Sequence, residues 1–255
     1  MIIVNCDQGS PEWHQARAGV ITASMFSVAR SRVGGLTEQQ QKYVDAILAG
    51  RSETYARDVA GYKAAPKAEA VQRALDGENV GDFSLAAKDY AFRLAIERIS
   101  GTPLDEGFET WQMKRGHELE PAARMAHEIT TGLVIEHAGF VLTDDGLFGA
   151  SADGLIDDVG GSEYKCFVSP ERLRSILIDS DWSDLVDQVQ GCLWITGRKW
   201  WDQCLYCPAL EPAGKHFTRL RVERDDNHIE AMETELMQFA RLVSQYEGSL
   251  RKKAA

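Results

Sequence analysis

The stretch Ala150-Ser-Ala-Asp-Gly-Leu-Ile-Asp-Asp-Val-Gly-Gly-Ser-Glu-Tyr-Lys-Cys166 decides how this chain reads. Val159-Gly-Gly161 is a turn signal between two short β segments, so the stretch predicts a hairpin. Side chains alternate along a strand. Glu163 and Lys165 therefore share one face, while Tyr164 and Cys166 point the other way. Asp153 lies one hairpin arm upstream, and pairing of the two strands would bring its carboxylate to the same edge as Glu163. Two carboxylates in a hard oxygen environment without histidine suit magnesium, with manganese as a substitute, better than zinc.

The flanking helices extend the set. His117 to Thr131 reads as a helix, with Gly116 before it, Pro121 in its first turn and Gly132 after it. Glu120 on this helix can reach a metal from the other side. Ser183 to Thr196 reads as a second helix with Leu185, Val189, Cys192 and Leu193 in an apolar stripe. Gln188 on it is a neutral hydrogen-bonding candidate, and the backbone carbonyl of Tyr164 is a further candidate ligand. Phosphodiester hydrolysis must place a hydroxide in line with phosphorus and stabilise charge on the leaving oxygen, which bound metal ions do. Lys165 can hold the attacking water or help deprotonate it. Taken singly, Glu120 reads as surface charge and Asp…Glu-x-Lys as a solvated hairpin. The ordered set of helix Glu, strand Asp, strand Glu-x-Lys and Gln-bearing helix is what points to a restriction-endonuclease-like, PD-(D/E)xK nuclease core.

Around this core, Thr37-Glu-Gln-Gln40 has capping-box spacing and starts a helix through Leu48. Ser24, or Thr22 before it, can cap a helix over Met25–Arg30. Ser84 to Ile99 reads as a helix, Trp200–Cys207 and His216–Val222 as strands, and a long last helix follows Asp225 or Asp226. Residues 60–82 are weakly patterned and read as a loop with a short helix. The plan is α/β, with a mixed central sheet flanked by helices. The reading expects a single nuclease domain over 1–255. Its helical part would span about 1–105, its catalytic core about 106–224 and its last helix about 225–250.

Composition sets bounds. The 255 residues are 44% hydrophobic and 26% charged, as in an ordinary globular protein. No apolar run approaches the roughly 20 residues of a membrane span, and the opening residues lack a secretory pattern. A cytoplasmic location is the expectation. Five scattered cysteines argue against a disulfide framework. Cys204 and Cys207 have CxxC spacing, but on a strand they would face opposite ways and read as buried structural residues. The formal charge of −11 counts against a nucleic-acid partner unless basic groups are gathered in a groove.

Further motifs carry a resemblance. Gln8-Gly-Ser-Pro-Glu-Trp13-His-Gln-Ala-Arg17 and Gly19-Val-Ile-Thr-Ala-Ser24 lie near the start. Arg115-Gly-His-Glu-Leu-Glu120-Pro-Ala-Ala-Arg124, Ala150-Ser-Ala-Asp153-Gly-Leu, Glu163-Tyr-Lys165-Cys and Gln188-Val-Gln190 with Trp194 and Trp200 follow in order. Together they resemble the phage lambda exonuclease family, the YqaJ-type viral recombinases or alkaline exonucleases. The resemblance implies processive digestion of double-stranded DNA from a free 5′ end, releasing mononucleotides and leaving a 3′ single strand. It implies a ring-shaped homotrimer and a single-strand annealing partner. It implies metal ligation by Glu120, Asp153 and Glu163, catalytic roles for Lys165 and Gln188, and a 5′-phosphate site at Arg17, Ser24 and Ser151. Arg17 is also a natural fork for phosphate, and a helix start at Ser24 would supply backbone N–H groups. Trp13 reads as a core anchor, His117 and His127 as plain helix residues, and Trp194, Trp200 and Trp201 as core or subunit contacts.

Other functions compete: an endonuclease or a 3′-acting exonuclease on the same core, and a catalytically idle DNA-binding subunit of a recombination complex. Idle relatives lose a ligand carboxylate or the lysine. Here Glu120, Asp153, Glu163 and Lys165 are all present.

Overall fold

The computed structural model describes residues 1–78, 80–104 and 111–252, with the side chains of 112 and 113 left out. In chain order the strands are β1 (Ile2–Val4), β2 (Ile21–Thr22), β3 (Arg32–Val33), β4 (Asp82–Phe83), β5 (Phe140–Leu142), β6 (Phe148–Ser151), β7 (Gly154–Ile156), β8 (Gly160–Lys165), β9 (Trp200–Tyr206) and β10 (Phe217–Glu223). The helices are α1 (Pro11–Arg17), α2 (Phe26–Arg30), α3 (Glu38–Leu48), α4 (Glu53–Ala60), α5 (Glu69–Leu75), α6 (Leu85–Ser100), α7 (Trp111–Thr131), α8 (Pro170–Leu177), α9 (Val186–Thr196) and α10 (Asp226–Arg251).

Where the sequence reading expects one domain, the contacts gather the chain into two compact units, 1–30 with 89–255 and 31–88. The smaller unit has its own core of Tyr43, Val44, Ala46, Ala56, Ala60 and Val71. Its α3 opens with the expected capping box, in which Thr37 and Gln40 bond each other's backbone N–H reciprocally. The boundary expected near 105 falls outside the described residues.

The larger unit is mixed α/β, but its strands form two four-stranded sheets rather than one central sheet. Their orders are β1-β5-β6-β2 and β10-β9-β8-β7. Each contains one parallel pair, β2 with β6 and β8 with β9. The chain passes from one sheet to the other through Ala152 and Asp153, between β6 and β7. That two-residue break is the physical reason for the split, and it falls on the aspartate that the sequence reading singles out. The expected hairpin forms: β7 pairs antiparallel with β8, Gly154 opposite Ser162.

Three boundaries differ from expectation. Helix α7 already runs from Trp111, so Pro121 sits inside it rather than in its first turn. A proline there removes one i→i−4 bond. Burial of Ala123 and His127 in the next two turns holds the helix together regardless. The second helix begins as a 3-10 turn over Ser183–Leu185 before α9. Ser24 caps nothing; it lies within a 3-10 turn over Ala23–Met25 that precedes the five-residue α2. Helix α8, with Ser169 as its N-cap and Pro170 at its first position, has no counterpart in the sequence reading.

Close packing of β8 on β9 explains the Gly160-Gly161 pair. A Cβ at Gly160 would meet the Trp200 ring at 2.2 Å, and one at Gly161 the Trp201 ring at 2.2 Å. Trp201 is fully buried, as its core reading anticipates. Trp194 packs against Phe26 and Phe148, with ring centroids 6.1 and 5.0 Å away. Among the described residues no helix is long and apolar enough to cross a membrane.

Candidate active site

A cavity of about 280 Å³ in the larger unit gathers the whole set of sequence-derived residues. Glu120, Asp153, Glu163, Tyr164, Lys165 and Gln188 line it, and so do Arg17, Ser24 and Ser151. They come from α1, the 3-10 turn, the last residue of β6, the β6–β7 break, β8, α7 and α9.

At its centre, Glu163 Oε1 accepts hydrogen bonds from Lys165 Nζ at 2.8 Å and from Gln188 Nε2 at 2.6 Å. Lys165 Nζ also donates to Gln188 Oε1 at 3.1 Å, closing a three-residue ring of bonds. Glu163 Oε2 is buried and has no hydrogen-bond partner. Asp153 Oδ2 accepts the Tyr164 backbone N–H at 2.7 Å. Glu120 Oε1 accepts from Arg124 Nη2 at 2.7 Å, and the same nitrogen donates to the Asp153 carbonyl at 3.2 Å.

The electrostatics follow from burial. Desolvation, then the nearby Glu163 and Glu120 carboxylates, push the proton affinity of Asp153 well above the usual carboxylate range. Burial pulls the Lys165 ammonium down, but the Glu163 and Asp153 carboxylates outweigh it and the net shift is upward. Lys165 therefore stays charged at neutral pH. Among the described residues, no three His, Cys, Asp or Glu side chains converge closely enough to hold a metal by themselves.

The other end of the cavity is cationic. Arg17 Nη1 donates to Ser151 Oγ at 3.1 Å, and its guanidinium lies 4.0 Å over the Trp13 ring. Burial lowers its pKa to about 10, so it too stays charged. Among the described residues no carboxylate is in salt-bridge contact with it. The Glu97 carboxylate acts on it only from beyond ion-pair contact, and a guanidinium without a direct carboxylate partner is suited to binding an anion. Ser24 Oγ lies 3.4 Å from Thr22 Oγ1 at the same wall.

The sequence reading passes over several contributors. Gln8 Nε2 donates to the Ala152 carbonyl at 2.9 Å and lies 3.5 Å from Asp153 Oδ1. Trp13 is more than a core anchor: it lines the cavity and its Nε1 donates to Ser151 Oγ at 2.8 Å. Arg124 follows Glu120 by four residues on one helix, a spacing that could have flagged the pair. His127 is not a plain helix residue. It is fully buried, bonded to Tyr164 and to Asp202, and no local pattern marks it.

Residues 76–199 match the YqaJ-like viral recombinase domain. Just under half of the chain is thus similar to this family. Glu120, Asp153, Glu163, Lys165 and Gln188 fall inside the matched segment, and the resemblance read from the motifs is borne out. The chain also resembles solved structures. An alkaline exonuclease from Laribacter hongkongensis superposes with a TM-score of 0.67 at 26% identity, over 95% of this chain and 97% of that one. The crystal structure of the same enzyme in complex with dAMP matches at 27% identity with the same TM-score and coverage. The two chains share a mixed α/β fold with sheets flanked by helices. A comparison with curated proteins gives no match.

Proposed function

We propose that this chain is a metal-dependent 5′→3′ exonuclease of double-stranded DNA. It removes one strand processively as mononucleotides and leaves a 3′ single-stranded overhang for single-strand annealing. One observation carries the reading: a single cavity is lined both by the Asp153–Glu163–Lys165 set and by Arg17, with Ser24 and Ser151, and among the described residues Arg17 has no carboxylate in ion-pair contact. The shared fold with an alkaline exonuclease supports it. The arrangement is read as a PD-(D/E)xK core.

The donors present fit a hard divalent cation, magnesium or in its place manganese. The acceptor left free on Glu163 Oε2, the Asp153 carboxylate, the Tyr164 backbone carbonyl and Glu120 are all oxygens. Magnesium commonly takes one or two protein carboxylates and completes its shell with water and substrate phosphate, which agrees with a site lacking three convergent side chains. When bound, the cation would activate water and stabilise the leaving oxygen. The chain's own residues do the rest. Lys165, beside the Glu163 carboxylate at 2.8 Å, is placed to hold the attacking water or to help deprotonate it. Gln188 fixes Glu163 and Lys165 together. Arg17, Ser24 and Ser151, lining the same cavity as the carboxylates, would seat the terminal 5′ phosphate and so set the polarity. A homotrimeric ring, with basic groups toward the channel and the acidic surplus outward, reconciles the charge of −11 with a DNA substrate. The work would be done in the cytoplasm of a bacterial or phage-infected cell, beside an annealing protein.

The deciding experiment is digestion in magnesium of a linear duplex with one strand 5′-phosphorylated and the other 5′-hydroxylated. Selective loss of the phosphorylated strand, abolished in Lys165→Ala, is the expected result. Cutting of closed circles would replace the reading with an endonuclease. Inactivity in both magnesium and manganese would leave a DNA-binding subunit.

A further inference from the structure

The sheet face opposite the cavity carries a polar network that no part of the proposed chemistry uses. Residues directly opposed in register share a face. Ser162 faces Asp202, and Asp202 faces Arg221; Tyr164 faces Cys204, and Cys204 faces Arg219. Helix α7 lies over this face and lowers His127 into it. The imidazole is fully buried, with Nδ1 3.1 Å from the Tyr164 hydroxyl and Nε2 3.1 Å from Asp202 Oδ2. Asp202, also fully buried, is gripped by both arginines, each of which reaches both of its oxygens at 2.9 to 3.1 Å. Ser162 Oγ donates to the Tyr164 hydroxyl at 3.2 Å.

The network has one direction. Asp202 can only accept, so Nε2 of the neutral ring carries the hydrogen and Nδ1 accepts from Tyr164. Tyr164 then accepts from Ser162 and donates to His127. Every member is satisfied, and such a network fixes geometry more strictly than apolar packing does.

Its placement gives it a task. His127 sits seven residues, two turns, after Glu120 on α7. Tyr164 lies between Glu163 and Lys165 on β8, and its backbone N–H holds Asp153 from the other side of the strand. We propose that His127, through Tyr164 and Asp202, is a positioning residue. It locks the Glu120 helix to the Glu163–Lys165 strand and so sets the spacing of the carboxylates that would hold the metal. Outer partners of metal-binding groups act in this way, and their loss typically weakens metal binding about 10- to 100-fold. The inference rests on the nuclease reading.

The test is calorimetric titration of the intact protein with Mn²⁺ in the absence of DNA, alongside the Mg²⁺ concentration for half-maximal digestion and thermal melting as a folding check. A folded His127→Ala protein should bind Mn²⁺ about 10-fold more weakly or worse. It should need proportionately more Mg²⁺, and at saturating metal its KM for DNA ends should be unchanged. His127→Gln, which keeps a donor and an acceptor, should recover most of the loss. Mn²⁺ affinity equal to wild type in folded His127→Ala overturns the network's role. If His127→Ala does not fold, Tyr164→Phe takes its place, since it deletes only the hydroxyl, and unchanged affinity there overturns the proposal equally. A wild-type protein that neither binds Mn²⁺ nor digests DNA sinks the nuclease reading and this role with it. Wild-type binding with unaltered variants sinks the network alone.

Discussion

Lys165 and Arg17 are both half-buried cations, and their surroundings give them different work. Lys165 is neutralised by Glu163 at 2.8 Å, whereas Arg17 is in contact with a hydroxyl and aromatic faces and feels the Glu97 carboxylate only from a distance. Lys165→Ala removes the donor that orders Glu163 and Gln188. The expected loss in kcat is about 10³-fold, the scale seen when one such electrostatic donor is removed, measured under single-turnover conditions. Arg17→Ala should instead act through the end group. On 5′-phosphorylated duplex KM should rise by about 10- to 100-fold, the equivalent of one charge-assisted hydrogen bond. On 5′-hydroxyl duplex it should change little. Equal losses on both ends would assign Arg17 to general DNA binding instead.

At the scale of elements, the three strands β8, β9 and β10 are held by packing on one side and charge on the other. Gly161 admits the Trp201 ring, so Gly161→Ala should destabilise the protein by about 1–3 kcal/mol through overpacking, read from the urea midpoint. Asp202 lies at the centre of the charged face. Burial alone would raise its pKa, but Arg221, His127 and Arg219 outweigh that and hold it well below the carboxylate range. A depressed folded-state pKa stabilises the fold above the unfolded value near 3.9, and that stability is lost as pH falls through the lower folded value. Asp202→Asn should therefore cost about 2 kcal/mol or more at pH 7. The gap between variant and wild type should shrink as pH drops below about 4. A gap that stays constant down to pH 3 would show that the arginines do not favour the ionised form. The hairpin strands and α10 were legible because their alternation and helical period are local; α8 and the start of α7 were not. Pro121 inside α7 imitates a helix start, whereas the helix runs on through it and buries Ala123 and His127 beyond.

For the whole molecule, a ring around the duplex predicts that digestion outlasts dilution. After an excess of unlabelled duplex is added, a labelled strand already engaged should still be consumed to the end, and light scattering should give three times the chain mass. Release within a few nucleotides, from a monomer, would remove the ring. Chelation by EDTA should stop digestion and a return of magnesium should restore it; digestion that continues in EDTA would contradict the oxygen-donor reading of the cavity. The candidate site was nearly all readable in advance. Glu120, Asp153, Glu163, Lys165 and Gln188 follow one another in a fixed order on elements whose types are locally encoded, and the motif near the start supplied Arg17 and Ser24. What the sequence determined by itself is therefore the chemistry available: which carboxylates, which lysine, which arginine, and that Glu163 and Lys165 share a face, because strand alternation is a property of adjacent residues. What only the tertiary structure decided is how these groups are held. The break between two sheets at Asp153, the buried Glu163 oxygen without a partner, the stacking of Trp13 on Arg17 and the His127–Asp202 network join residues far apart in the chain. Such contacts depend on how sheets and helices pack against one another, and no local pattern of side chains encodes that.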